Sequence, residues 1–335
     1  MPMIELDYRP LHKAIPIHSY FSAKGWLIFF AVIVGGGALI WLGAYSIRSG
    51  LFGERSDAID TYGWMIGLGA FMILGGFFDI ITVVPNRRFK EFVRINGLRV
   101  DNRRSFRSRP GMIFNQIGKT KYYRRVYIGE GERQLELGSM SVGSSSKNDK
   151  SEGRSYGYMC LRLPRKLPNI ILDAKHNDFL GRRSSTPRVI AKTQRISLEG
   201  NFDDYFDLYA PSTHRIDALY VFTPDVMQAV MSSAYKYDCE IVDNYFYVYR
   251  IGGFPFSDQT MYKDMFRIAD VVEREVLKQT HYYADQRIDD RTRDVVAKSG
   301  RRLTVGNVRK NYMLAGKIIL FLLSFVAGWY VLLYL

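Results

Sequence analysis

Three apolar runs, Gly25–Ile47, Tyr62–Val84 and Met313–Leu335, bracket one segment of mixed polarity, residues 86–312. The first run holds no charged residue, the second only Asp79, the third only Lys317. A hydrocarbon core of about 30 Å takes roughly 20 apolar residues in a helix, so each run is long enough to cross a bilayer. The pattern predicts three transmembrane α-helices: a hairpin over residues 25–84 (25–47 and 62–84) after a polar segment 1–24, and a single helix over 313–335. Glycines recur in the first two runs, at Gly35–Gly37, Gly63, Gly67, Gly69, Gly75 and Gly76. Small residues let helices approach closely, so the two are expected to pack together. Trp26, Trp41, Tyr62, Trp64, Trp329 and Tyr330 lie near the ends of the runs, where amphipathic rings favour the membrane interface. The first run is longer than the roughly 7–15 residues of a signal-peptide core and follows a flank carrying Glu5 and Asp7, which argues against cleavage. Asp79 is close enough to Arg87 and Arg88 to reach the interface by snorkelling.

Between the runs the period changes. Tyr122–Ile128 and Arg133–Gly138 flank Gly129-Glu130-Gly131-Glu132, a hairpin with glycines where positive φ is wanted. Tyr158, Cys160 and Arg162 alternate with Met159, Leu161 and Leu163 in a strand over Tyr156–Leu163, and Asn169–Ala174 gives another. The small and charged tract between them and the hairpin predicts a mobile loop over residues 143–155. Farther on, Ala218–Phe222 has the composition of a short strand. Thr223-Pro224-Asp225 then opens a helix, with a hydroxyl at the cap, proline in the first turn and a carboxylate facing the helix dipole. Cys239–Val242 and Tyr245–Ile251 predict a hairpin across Asp243-Asn244, and Ser257 opens a longer helix whose apolar side is Met261, Met265, Ile268 and Val272. The fold class that follows is an α+β soluble domain, mainly antiparallel sheet with two or more helices, joined to three transmembrane helices.

The run Ile196-Ser197-Leu198-Glu199, then Phe202 and Tyr205-Phe206-Asp207-Leu208-Tyr209, continues to Asp217-Ala218-Leu219-Tyr220-Val221-Phe222-Thr223-Pro224-Asp225 and Tyr245-Phe246-Tyr247-Val248-Tyr249. Over about residues 155–275 these segments resemble the bacterial family called Domain of Unknown Function 3137. The resemblance implies a bacterial membrane protein whose N-terminal spans carry a cytoplasmic α+β domain, and it brings no activity or catalytic residues with it. The apolar run at residues 313–335 departs from the commoner layout of that family and points to a specialised subgroup.

Charge adds an orientation. The net charge of +14 resides wholly in residues 86–312, with 41 basic against 27 acidic residues. Arg87, Arg88, Lys90 and Arg94 follow the second run, and Arg301, Arg302, Arg309 and Lys310 precede the third. Basic flanks stay on the cytoplasmic side during insertion, which predicts a multi-pass inner-membrane protein with its large domain in the cytoplasm. The same eight residues are the candidate contacts with anionic lipid head groups. Nucleic-acid binding is disfavoured, because the basic strip lacks interleaved stacking aromatics.

Candidate chemistry is sparse. Glu199, Asp203 and Asp207 would align on a helix as oxygen ligands, but Gly200 interrupts them and no partner histidine is near in sequence. The five histidines are dispersed, and the sequence holds no HExxH, GxSxG, Walker or GxGxxG motif. No metal, cofactor or catalytic residue is assigned, and the balance leans away from an enzyme. The expected role is a binding, scaffold or accessory subunit that holds a protein partner or a second copy at the membrane surface. The alternative is a membrane-associated enzyme acting on lipid or envelope precursors, for which a pocket holding His176 or His281 beside carboxylates would speak.

Overall fold

The computed structural model describes residues 5–14, 23–49, 55–102, 109–114, 119–131, 134–143, 154–177, 188–288 and 294–308. These form two compact units, one of Leu6–Gly97 with Ser257–Gln259, the other of Leu98–Phe256 and the chain from Thr260 on.

The first unit is helical. After a single turn, α1 (Arg9–His12), come α2 (Ala23–Ser49) and the 41-residue α3 (Arg55–Ile95). Helices α2 and α3 pack antiparallel along a seam of glycines. A Cβ added to Gly36 would stand 2.7 Å from the Gly69 carbonyl oxygen, and one on Gly69 would stand 2.3 Å from that of Gly36. Gly76 faces Ile33 and Phe29, which fixes the antiparallel order. α3 continues through Pro85 to Ile95 and carries Arg87, Arg88, Lys90 and Arg94 on its last turns. There Phe92 is fully buried, Tyr8 stacks on it at 5.9 Å, and the Asn96 amide bonds both the N–H and the carbonyl of Asp7.

Among the described residues one helix, Gly25–Ser49, is long and apolar enough to cross a membrane, which suits an anchor and a signal sequence alike. Of the three spans expected, this is the one shown. The second run lies inside the 41-residue α3, where the described side chains include an apolar stretch over Gly63–Gly76. The run Met313–Leu335 and the side chain of Asp79 lie outside the described residues.

The second unit is an α+β fold on an antiparallel sheet. Its strands are β1 (Arg99–Asp101), β2 (Lys119–Ile128), β3 (Leu135–Gly143), β4 (Arg154–Ala174), β5 (Arg188–Ile190), β6 (Arg195–Ile196), β7 (Phe206–Tyr209), β8 (Asp238–Ile251) and β9 (Val305–Val308). Its helices are α4 (Phe202–Tyr205), α5 (Arg215–Val221), α6 (Pro224–Ala234), α7 (Gln259–Val271) and α8 (Leu277–Thr280), the last two joined by a π turn over Val272–Val276. The main sheet runs β1-β2-β3-β4-β7-β6, while β8 lies along the other edge of β4; β5 and β9 make a separate ribbon. The β2–β3 hairpin forms across Gly129–Gln134 as the glycines predict, with φ of 79° at Gly129 and 66° at Gly131.

Three readings of the sequence change. The strands expected at 156–163 and 169–174 are one strand, β4, whose Pro164 and Pro168 fall where its register with β8 slips, the place a sheet tolerates proline. The strand expected at Ala218–Phe222 belongs to α5, which buries Asp217, Ala218 and Val221. The hairpin expected across Asp243-Asn244 is a continuous β8, in which Asp243 takes φ of 50°. Asp tolerates that left-handed conformation better than most residues, and here it lies opposite Leu167 of β4, where the extra residues of β4 shift the register, instead of in a turn. The loop 143–155 lies outside the described residues from 144 to 153.

Candidate functional site

Pairing in register puts Glu136, Gly138 and Met140 of β3, Tyr156, Tyr158 and Cys160 of β4, and Tyr247, Tyr249 and Ile251 of β8 on one face of the sheet. At Asp243, whose backbone is left-handed, the alternation of β8 shifts, so even-numbered Glu240 and Val242 join the face that odd-numbered residues hold beyond it. Accordingly Val242 shares a core cluster with Tyr247 and Tyr249, and the Tyr249 hydroxyl donates to Glu240 Oε2 at 2.7 Å. Gly138 has no side chain because the Tyr158 ring lies over it, 2.1 Å from where a Cβ would be. That placement lets the Tyr158 hydroxyl donate to Glu136 Oε1 at 2.6 Å.

A turn at Arg109–Phe114 covers this face. Gly111 has φ of 118° and lies against the Tyr249 hydroxyl, while Phe114 meets the rings of Tyr158 and Tyr247 at 5.1 and 5.3 Å. The opposite wall is residues 301–305. It is fixed by Gln194, whose amide bonds both the N–H (2.9 Å) and the carbonyl (2.8 Å) of Thr304, and by Leu303 packed on Ile171, Ile190 and Tyr209. Between the walls is a cavity of about 660 Å³ into which Arg109, Arg301, Arg302, Asn169, Glu240 and Asp243 all open. Its size falls in the range of roughly 300–1,000 Å³ usual for small-molecule sites.

Two carboxylates behave differently there. Glu240 is buried and accepts three neutral donors: Met112 N–H at 2.7 Å, Tyr249 O–H at 2.7 Å and Asn169 Nδ2 at 2.8 Å. Burial raises its pKa, and these donors only partly oppose the rise. Glu136 instead meets a cation, Arg109, at 2.8 Å. Burial works against the Arg109 charge, but Glu136 and Tyr158 outweigh it and hold the guanidinium protonated. The Cys160 thiol is pushed up to about 12 by burial, so it stays a neutral core residue; Cys239 is likewise buried and unpaired as a disulfide.

A carboxyl whose folded pKa lies above its unfolded value of about 4.5 favours folding at low pH. Its contribution declines as pH rises through 4.5 toward the folded value. Glu240→Gln is therefore expected to remove that decline. Chemical denaturation across pH 4 to 8 checks it: the variant should gain relative to the parent as pH rises, by on the order of 1 kcal/mol per unit of pKa difference.

Behind the wall 301–305 is a second polar cluster, built on the buried His214 and Asp285. His214 is wholly buried, with Nδ1 2.8 Å from the Thr213 hydroxyl and Nε2 3.1 Å from Asp285 Oδ2. Asp285 also accepts the N–H groups of Ala297 (2.8 Å) and Arg287 (3.0 Å) and pairs with the Arg287 guanidinium, which reaches Asp217 at 3.0 Å. The Tyr283 hydroxyl donates to Asp217 at 2.8 Å. Gly300 closes on the imidazole so tightly that a Cβ would lie 2.5 Å from it. This cluster clasps Tyr283, Asp285, Arg287, Ala297 and Gly300 to His214 and α5, next to where Arg301 and Arg302 emerge.

Of the predicted membrane-surface residues, Arg301 and Arg302 lie at the cavity, Arg87, Arg88, Lys90 and Arg94 lie on α3, and Arg309 and Lys310 fall outside the described residues. His176 packs on Tyr235 and His281 on Tyr282, both exposed, while the histidine that meets a carboxylate is His214. Asp203 lies on α4 and Asp207 on β7, where it pairs with Arg195 at 2.8 Å; among the described residues no group of three or more His, Cys, Asp and Glu could hold a metal ion. Glu240 carried one signal in the sequence, a lone acid inside the apolar run Cys239–Val242. No family model, curated protein or solved structure matches the chain.

Proposed function

We propose that this chain is a membrane-tethered binding subunit whose α+β domain holds a partner at the bilayer surface. The observation that supports the reading best is the outer surface of α2. Leu27, Phe30, Val34 and Trp41 stand 56 to 72% exposed on a helix long enough to cross a bilayer. Apolar surface costs roughly 25 cal/mol per Å² in water, a cost that lipid tails remove. In this reading Tyr62–Val84 and Met313–Leu335 also span, and the basic flanks keep the domain in the cytoplasm of a bacterial cell, as the resemblance of residues 155–275 to Domain of Unknown Function 3137 implies. Arg87, Arg88, Lys90, Arg94, Arg301, Arg302, Arg309 and Lys310 then face anionic head groups, each contributing about 1 kcal/mol at the surface. The partner is a protein or a second copy of the chain.

Topology tests this directly. With Cys160 and Cys239 replaced by alanine, a single cysteine at Ser145 should resist a membrane-impermeant maleimide in intact cells and react after permeabilisation. Labelling of intact cells would overturn the orientation. A stoichiometric complex recovered in mild detergent is the expected binding result. The second reading, an enzyme acting on lipid or envelope precursors, draws on the arginine-lined cavity beside Glu240; a monomer that turns over such substrates would replace the first.

A further inference from the structure

We propose that the cavity between Arg109–Phe114 and residues 301–305 binds a phosphate ester that carries hydroxyl groups. The cavity walls hold hydrogen-bonding groups with unused capacity. Arg109 uses one terminal nitrogen on Glu136. The Arg301 side chain, also at the cavity, donates Nε to the Val296 carbonyl at 2.8 Å and has no further hydrogen bond or ion pair among the described residues. Arg302 makes no hydrogen bond or ion pair among the described residues. Guanidinium forks of this kind match phosphate oxygens two at a time, and a strongly hydrated lysine would not serve as well.

The acids define the other end of the ligand. Glu136 already balances Arg109, and Glu240 is occupied by three donors, so neither competes for the cations at the mouth. Asp243 is the carboxylate of the cavity with no partner among the described residues. It sits at the left-handed residue of β8, opposite Leu167 of β4. A bare phosphate would meet repulsion there, whereas a hydroxyl next to the phosphate would donate to it. The volume, about 660 Å³, leaves space for that organic part. Two sources carry this chemistry: a soluble sugar or polyol phosphate, and the head group of a glycerol-bearing phospholipid.

The proposal goes beyond the membrane-tether reading and does not depend on it. The test uses the full chain in nonionic detergent at low ionic strength, titrated calorimetrically with glycerol 3-phosphate, inorganic phosphate and glycerol. Glycerol 3-phosphate should bind saturably, more tightly than phosphate, and glycerol should not bind. Arg302→Gln, at an exposed position that leaves the thermal melt in place, should weaken glycerol 3-phosphate about tenfold or more. Asp243→Asn keeps a residue suited to the left-handed backbone; it should weaken glycerol 3-phosphate several-fold while leaving inorganic phosphate unchanged or tighter. Absence of saturable binding at millimolar probe, or binding that both variants leave intact, overturns the site. Nanodiscs separate the sources. If phosphatidylglycerol discs block glycerol 3-phosphate and phosphatidylcholine discs do not, the site is filled by a head group; equal binding in both supports a soluble ligand.

Discussion

Asp285→Ala should lower the stability of the second unit by about 3–5 kcal/mol, the usual cost of removing one partner from a buried charged cluster. The side chain is fully enclosed, and its loss strands the imidazole Nε2 of His214, the N–H of Ala297 and part of the Arg287 guanidinium together. For a domain of this size about 2–4 °C of melting temperature accompanies each kcal/mol, so a drop on the order of 10 °C is expected. The pH dependence gives a second readout. Burial raises the Asp285 pKa, but the N–H groups of Ala297 and Arg287, then His214 and the Arg287 side chain, outweigh it and hold the carboxyl well below its ordinary 3.8. A depressed carboxylate contributes fully above its unfolded pKa and loses that contribution as pH falls through 3.8 toward the folded value. Asp285→Asn should abolish this acid-side loss while keeping more of the melt than alanine does. If Asp285→Ala melts within 2 °C or so of the parent, the clasp does not hold residues 283–300, and Arg301 and Arg302 owe their position to Gln194 and Leu303 alone.

Local rules carried the fold where the residues contrast. The glycines at 129 and 131 announced the β2–β3 hairpin, and Thr223-Pro224 announced α6, which begins at Pro224. They failed where contrast is missing. On α5 the buried Ala218 and Val221 alternate with exposed Ile216, Leu219 and Tyr220, which are apolar as well, so no helical period stands out. Asp243-Asn244 carries a left-handed signal that suits a turn as well as an irregular strand, and only pairing with β4 decides between them. The cavity was visible in pieces. Arg301 and Arg302 read as a membrane flank because their sequence neighbours are basic, yet they line one cavity with Arg109, Asn169 and Glu240, which are distant in the sequence. The His214 clasp gave no sign at all, since Asp217 and Asp285 look like ordinary surface charges until tertiary packing buries them against His214 and Arg287.

In the first unit Gly69→Val should separate α2 from α3. The Cβ of any residue at 69 would lie 2.3 Å from the Gly36 carbonyl oxygen and 2.8 Å from Ile40, inside contact distance to a backbone atom that cannot turn aside. Overpacking a close-packed seam costs about 1–3 kcal/mol when side chains can adjust, and backbone-to-backbone contact sets this case at or above the upper end. Gly36→Val should behave alike, because its Cβ would stand 2.7 Å from the Gly69 oxygen. Gly37 and Gly75 supply the control, as each would place a Cβ where nothing lies within 4 Å. A cysteine pair across the seam, at Ile33 and Gly76, would report separation by its rate of disulfide formation in membranes. The rate should fall sharply in Gly69→Val and hold in Gly37→Val. Equal rates in all four variants would mean that α2 and α3 do not meet through these glycines. The seam also bears on the membrane reading, because the exposed Trp64, Phe71 and Leu74 of α3 and Phe30, Val34 and Trp41 of α2 all lie outside it. A helix pair that spends its glycines on mutual contact and its large side chains on the outside supports the proposed lipid surround. In water the same pair would bury those side chains and expose the glycines.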